Sequence, residues 1–410
     1  MNTASLSSIA LERGSGVLKL APAWVPRSFC RPGKRIKLHP DDYYVLGQKR
    51  GGIDERWFSS TTHADNGPDT PEDEGLSYVV VEDGGTVRKM LLRDAVQELG
   101  EALIGSHLWK TYGVWPMFSK FFDNAGPLPF HIHHRDGHAA RVGMAGKPEM
   151  YFFPSQLNNH GGEFPFTFFG VNPGTAKREM RDSLAAFAKG DNQILGLSRS
   201  YKLMLDTGWD VPPGVLHAPG SLCTYEPQFA SDVFAMYQSV LYGGQCVGEE
   251  LLWKNCPEEE LGNLDYLVEM IDWERNADPE FYEHRFMAPL PARPAAETAA
   301  EGYAEEWICY KSPMVCAKRL TVLPGHTVTI CDSAAYGMIC IQGSGCFGGF
   351  ELGSPALIRY GQLTNDEFFV SENAAKAGVV IKNASAYDNI VILKHFAWNP
   401  DLPDNEQPLR

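Results

Sequence analysis

The chain has 410 residues and a formal charge of −15, from 36 Lys and Arg against 51 Asp and Glu. With 44% hydrophobic residues it can bury a sizeable core, which excludes wholesale disorder, and its length allows two or three domains. The acidic balance argues against a nucleic-acid partner, which needs a concentrated basic surface, but leaves room for a small anionic substrate.

Short β-rich runs alternate with Gly, Pro, Asn and Asp clusters along the whole chain, an all-β signature. The first sixteen residues, MNTASLSSIALERGSG, show no basic segment leading into an apolar core. No run of about 18 apolar residues follows anywhere, so a cytoplasmic protein without a membrane partner is expected. Residues 78–82 (YVVVE) read as a strand. From 92 to 103, Leu92, Val96, Leu99 and Leu103 recur on one face of a helix. A strand is expected at 150–153 and a helix at 175–189, with Thr175 as N-cap and Gly190 as stop. A third helical stretch, 258–273, follows Pro257. Residues 288–302 (APLPARPAAETAAEG) read as a Pro/Ala-rich linker, so the chain divides into a domain over 1–287 and another over 303–410. In the second part, strands are expected at 327–331, 338–341 and 390–393. No phosphate-cradling glycine loop follows a strand. The nine cysteines stand singly, without a CxxC pair, as free thiols in a reducing compartment would.

The chemistry is concentrated in 127–153, PLPFHIHHRDGHAARVGMAGKPEMYFF. On a strand, residues i and i+2 share a face, so His131 and His133 project together while Ile132 and His134 turn away. Glu149 enters at the start of the next apolar run, and His217 ends PPGVLH, a short run held by prolines and a glycine. Three imidazoles and a carboxylate suit one divalent first-row metal: zinc, manganese, iron or nickel. Lys147, two residues before Glu149, faces the same way in extended geometry and is a candidate to bind an anionic oxygen or relay a proton. His134, His138 and His160 read as surface histidines of a Gly-rich loop. His63, in a turn, has no role.

These residues resemble the type I phosphomannose isomerase (mannose-6-phosphate isomerase) family, in its short bacterial form, within the cupin superfamily. The resemblance lies in His131-Ile132-His133, in Lys147-Pro148-Glu149 and in Pro213-Gly214-Val215-Leu216-His217-Ala218. Glu226-Pro227-Gln228, Ser231-Asp232, Glu55–Ser60 and Trp115–Lys120 add to it, so that it runs in order from about 35 to 275. It implies two cupin domains, jelly-roll β-barrels with a few added helices. The first would hold the metal, most often zinc. The second would be metal-free, since it has only His326 and His395. It implies an aldose–ketose isomerase acting on a sugar or sugar phosphate, with a homodimer as the default assembly. In that reaction Asp232 is a candidate base, Ser60 a hydrogen-bonding partner of the substrate, and Trp57 a stacking platform for the sugar, or else core. Two positions depart from the family. His131 stands where a glutamine is usual. Ala235 or Met236 stands where an arginine follows the Ser-Asp pair, leaving Arg135, Arg141 or Arg199 to replace it in space. The first departure fits a cupin metal oxidoreductase, and the second a non-catalytic sugar-binding cupin.

Overall fold

The computed structural model describes residues 5–83, 85–158, 165–241 and 243–403. His160 lies outside them.

The protein is mainly β, built from antiparallel sheets with added helices. Two sheets carry the site. A seven-stranded sheet runs in the order Phe286–Met287, Gly208–Val211, Glu149–Phe152, Thr224–Phe229, Met117–Phe122, Gly52–Phe58, Ala23–Arg27. A five-stranded sheet runs Ser198–Lys202, Phe166–Val171, His217–Ala218, His131–Ile132, Ala235–Met236. The strands expected at 78–82, 150–153, 327–331, 338–341 and 390–393 all form, displaced by a few residues at most.

The seven-stranded sheet is buried on both faces, and its alternation sorts two kinds of residue. Phe58, Phe121, Met150 and Tyr225 point outward into the large core shared with the C-terminal strands. Contacts across this junction include Tyr225 Oη hydrogen-bonded to His395 Nδ1 at 2.9 Å and Arg56 gripping Asp366 at 2.8 Å. The inward face instead carries Glu55, Lys120, Glu149 and Glu226. A sheet covered on both sides usually reads as near-continuous apolar residues, so a charged inner face calls for a chemical explanation. Behind the five-stranded sheet, a second apolar core holds Ile132 and Ala218 against the helices Lys177–Ala185 and Leu264–Met270.

The chain's two ends are woven together. A nine-stranded sheet places Val17–Ala21 beside Glu367–Val370, with Val17 opposite Val370, and adds Tyr78–Asp83 and Thr86–Leu91 beyond it. The nine-stranded sheet thus takes strands from both sides of residue 288. The 288–302 segment is itself structured: Leu290–Pro291 pairs with Tyr303–Cys309, and Ala295–Glu301 is a helix stopped by Gly302 at φ +91°.

Three helical expectations are corrected. The 92–103 helix is two, Leu92–Leu99 and Glu101–Ile104, because Gly100 breaks it at φ +50°. The 175–189 helix spans Lys177–Ala185 with Ala176 as N-cap, where Glu179 accepts the Ala176 N–H at 2.8 Å; a 3-10 turn follows at Phe187–Lys189. The 258–273 stretch is a 3-10 turn, Glu258–Glu260, followed by helices Leu264–Met270 and Trp273–Asn276, each opened by the side chain of Asn263 or Asp272. All nine cysteines are free, and no helix among the described residues is long and apolar enough to cross a membrane.

Candidate metal centre

His131 and His217 are register partners on adjacent strands of the five-stranded sheet, and His133 follows just beyond. Their ring centroids lie 4.1 to 5.0 Å apart, and all three are buried. One nitrogen from each imidazole lies within 4.8 Å of the other two. Glu149 arrives from the facing seven-stranded sheet, with Oε2 at 3.0 Å from His133 Nε2 and Oε1 at 3.2 Å from His217 Nε2. The four side chains singled out from the sequence are thus brought together, two sheets supplying them from opposite sides.

The protonation pattern follows from the outer nitrogens. His131 Nδ1 donates to Pro129 O at 2.7 Å, His133 Nδ1 to Val233 O at 2.8 Å and His217 Nδ1 to Val215 O at 2.8 Å. Each neutral ring then carries its proton on Nδ1 and turns a bare Nε2 inward. Burial, reinforced by the neighbouring imidazoles, holds His131 well below its usual pKa. Burial likewise lowers His133, to about 4, against the pull of Glu149. Burial opposes charge on Glu149, yet His133 and Lys147 outweigh it and hold the carboxyl well below its usual value. Three inward-turned Nε2 atoms and an ionised carboxylate therefore face one another. His217 Nε2 has no hydrogen-bond partner, while Glu149 Oε2 is ion-paired with Lys147 Nζ at 3.0 Å. Lys147 answers one side of this group, His217 Nε2 is left facing the carboxylate at 3.2 Å without a partner, and the donor set, with each imidazole oriented by a backbone carbonyl, fits a divalent first-row metal.

Lys147 is buried beside the group, with Nζ at 3.0 Å from Glu149 Oε2 and 3.4 Å from His133 Nε2. Tyr151 Oη donates to Glu149 Oε1 at 2.5 Å and fixes the carboxylate from the other side.

From Glu149 a row of buried charges crosses the inner face strand by strand. Lys147 reaches Glu226 at 3.8 Å, and Lys120 bridges Glu226 and Glu55 at 3.3 Å each. Arg27 bridges Glu55 at 3.2 Å and Asp232 at 3.4 Å. Burial and the Glu149 carboxylate push Glu226 well above its ordinary value. For Lys120 burial is outweighed by Glu226 and Glu55, which raise it. For Asp232 burial is outweighed by Arg27, which lowers it. Gln228, register partner of Glu149, is fully buried with neither amide atom hydrogen-bonded.

The other expected site residues lie elsewhere. Asp232 is at the far end of the row, also accepting the Asp65 N–H at 3.0 Å, and does not touch the histidines. Trp57 is fully buried and stacked on Phe118 with centroids 4.2 Å apart, its indole N–H donating to Glu55 at 2.7 Å. Ser60 is turned into its own loop, its hydroxyl donating to Thr62 O. None of the three arginines considered as replacements reaches Asp232 through its hydrogen bonds. Arg135 donates to Glu269 O, Arg141 pairs with Glu259 and Glu260, and Arg199 donates to Asn276 O and Asp278 O. The arginine in contact is Arg27, from a strand over two hundred residues away, and no local pattern marks it. His134 is corrected too: it is fully buried, its Nε2 bonded to Asn255 O at 3.1 Å, and burial lowers its pKa to about 3. His138 packs its ring edge-on to Tyr266 at 5.6 Å.

No family model matches this chain, and no curated protein matches it in sequence. Solved structures do. The mannose 6-phosphate isomerase of Bacillus subtilis superposes with a TM-score of 0.60 at 14% identity, covering 93% of this chain and 99% of that one. A putative mannosephosphate isomerase from Archaeoglobus fulgidus gives 0.57 at 13%, covering 93% and 97%. A zinc-bound mannose 6-phosphate isomerase gives 0.61 at 13%, covering 94% and 99%. The likeness is one of fold, and it extends over nearly the full length of both partners.

Proposed function

We propose that the protein is a metal-dependent aldose–ketose isomerase of cupin architecture, with His131, His133, Glu149 and His217 as ligands of a single divalent ion, zinc first among the candidates. The observation that carries this reading is the convergence of three bare imidazole nitrogens on an ionised, buried glutamate, in a fold shared with mannose 6-phosphate isomerases.

Aldose–ketose exchange moves a proton between neighbouring carbons, and its barrier is the negative charge that develops on oxygen. When bound, a divalent ion supplies Lewis-acid stabilisation for that charge. The protein's own residues do the rest. The three backbone carbonyls on Nδ1 keep each imidazole in one tautomer and one orientation. Lys147 Nζ, held between Glu149 and Glu226, is the group to hand a proton to a substrate oxygen and take it back. Asp232 is paired with Arg27, which lowers its basicity, so its proposed part is to hold Arg27 against the row rather than to abstract the proton. Trp57, through its bond to Glu55, positions the same row.

The experiment is ketose formation from an aldose or its phosphate by the zinc-loaded protein. Conversion supports the isomerase. The three-imidazole, one-glutamate set also suits an oxidoreductase, and iron or manganese in the purified protein with oxygen uptake would favour that reading instead.

A further inference from the structure

Glu149 is gripped from outside the metal group by two donors of different origin. Lys147 Nζ reaches Oε2 at 3.0 Å, and Tyr151 Oη donates to Oε1 at 2.5 Å. Lys147 belongs to the charged row. Tyr151 does not: it lies two residues on in the strand Glu149–Phe152, so it shares the face of Glu149. The surroundings of its ring are apolar. Tyr151 is buried in a core with Phe122, Phe153, Phe169 and Trp209. The ring meets Phe122 edge-on at 5.7 Å and stacks on Phe169 at 6.1 Å, and its register partner is Trp209. A phenylalanine would fill that place equally well. The hydroxyl is the surplus, and a hydroxyl buried among rings is costly unless it is hydrogen-bonded. Its bond goes to the very oxygen that faces the unpartnered His217 Nε2 at 3.2 Å.

We propose that Tyr151 is a positioning residue for the metal, whose hydroxyl orients the Glu149 carboxylate toward the three imidazoles and so sets the affinity for the ion; this rests on the metal-centre reading of the same site. The three histidines are each aligned by a backbone carbonyl on Nδ1, at 2.7 to 2.8 Å. Glu149 has no such partner in the backbone. Its side chain turns about three bonds, and ordering it only when the ion arrives carries an entropic cost.

The flanking strands do not order it either. Val211, its register partner on one side, is apolar. Gln228, its partner on the other, leaves both amide atoms without a hydrogen bond. Lys147 brings charge to Oε2, but an ammonium on a four-carbon stem, with three rotatable donors, fixes a direction less well than a phenol packed among rings. Tyr151 is therefore to Glu149 what the carbonyls are to the histidines, a rigid partner on the far side of the ligand.

Zinc affinity, measured by competition with a chromophoric chelator on wild type and Tyr151→Phe, tests this. The variant keeps the ring and loses the oxygen. It should bind zinc about 10- to 100-fold more weakly, the usual effect of removing such an outer partner, while the Tm of the metal-free protein hardly moves. Unchanged affinity would overturn the proposal. So would a variant that does not fold, since the hydroxyl would then serve the fold. The visible spectra of the cobalt-loaded proteins should differ, because the freed carboxylate changes its direction; identical spectra would again overturn it. Glu149→Ala separates positioning from packing and leaves three imidazoles to bind zinc. In that background Tyr151→Phe should weaken zinc binding by less than about twofold. A loss as large as in wild type would mean that Tyr151 acts through the His217 ring, 6.2 Å from its own, and would overturn its role on Glu149. Should Glu149→Ala not fold, the affinity and spectrum of Tyr151→Phe decide. Wild-type protein that binds neither zinc nor cobalt would overturn the metal centre together with this proposal. Bound zinc without ketose formation would count against the isomerase alone.

Discussion

His131 and His217 sit directly opposite each other across an antiparallel bridge, their ring centroids 4.1 Å apart, each with Nδ1 bonded to a carbonyl two residues back in its own segment. The same local device, used twice, fixes both tautomers before any partner arrives. It makes the pair a preorganised donor set whose third and fourth members, His133 and Glu149, come from the next residues of one strand and from the facing sheet.

Lys147 touches this set without belonging to it. Lys147→Met should therefore retain a full complement of metal while ketose formation falls by roughly 10²- to 10⁴-fold, the usual reach of a lost proton carrier. Metal analysis and turnover on the same preparation check it. Unchanged turnover with metal in place would remove Lys147 from the mechanism.

Arg27 holds two buried carboxylates. Arg27→Met leaves Glu55 and Asp232 short of a cation, and should destabilise the fold by about 3–5 kcal/mol, as breaking a buried pair does. Urea unfolding measures the loss. Adding Glu55→Gln and Asp232→Asn to the same chain should recover a good part of it. No recovery would mean that Arg27 acts through packing on Trp57, 5.8 Å from its guanidinium, rather than through charge.

His395 lies in the junction between the seven-stranded and nine-stranded sheets, on the strand Ile390–Phe396. Its Nδ1 is hydrogen-bonded to Tyr225 Oη, its Nε2 has no partner, and burial lowers its pKa from 6.5 to about 3. The unfolded chain binds a proton at this histidine below pH 6.5 and the folded one does not. Its contribution to stability is thus full above pH 6.5 and is lost as pH falls toward 3, at up to about 1.4 kcal/mol per pH unit. His395→Gln, which keeps an acceptor for Tyr225, should flatten the fall in Tm between pH 6 and 4 relative to wild type. Parallel curves for the two proteins would show that His395 does not titrate this way.

What could be read in the sequence was what depends on neighbours. The two-residue period of a strand was enough to put His131 and His133 on one face with Ile132 behind them, where Ile132 indeed joins the helix-covered core. Glu149 could be found because it opens an apolar strand. The charged row could not, because it depends on register. Arg27, Glu55, Lys120 and Glu226 come from four strands spread over two hundred residues, and only pairing lines them up. His134 read as a surface residue because its cover, the segment at Asn255, comes from far along the chain. The 92–103 helix was misread for a local reason: its apolar period continues through Gly100, whose positive φ ends the helix whatever the period says. The weave of Val17–Ala21 into the C-terminal sheet has no sequence signal at all, since a strand's composition does not say which edge it will join.

The central claim is that the converging imidazoles and Glu149 exist to hold one ion. Elemental analysis of the purified protein, wild type beside His133→Ala, tests it most directly. The expected result is about one zinc or other divalent first-row metal per wild-type chain and almost none in the variant, with the variant still folded by circular dichroism. A wild-type protein that stays metal-free after incubation with zinc, manganese, iron or nickel, or a variant that keeps its metal, would contradict it.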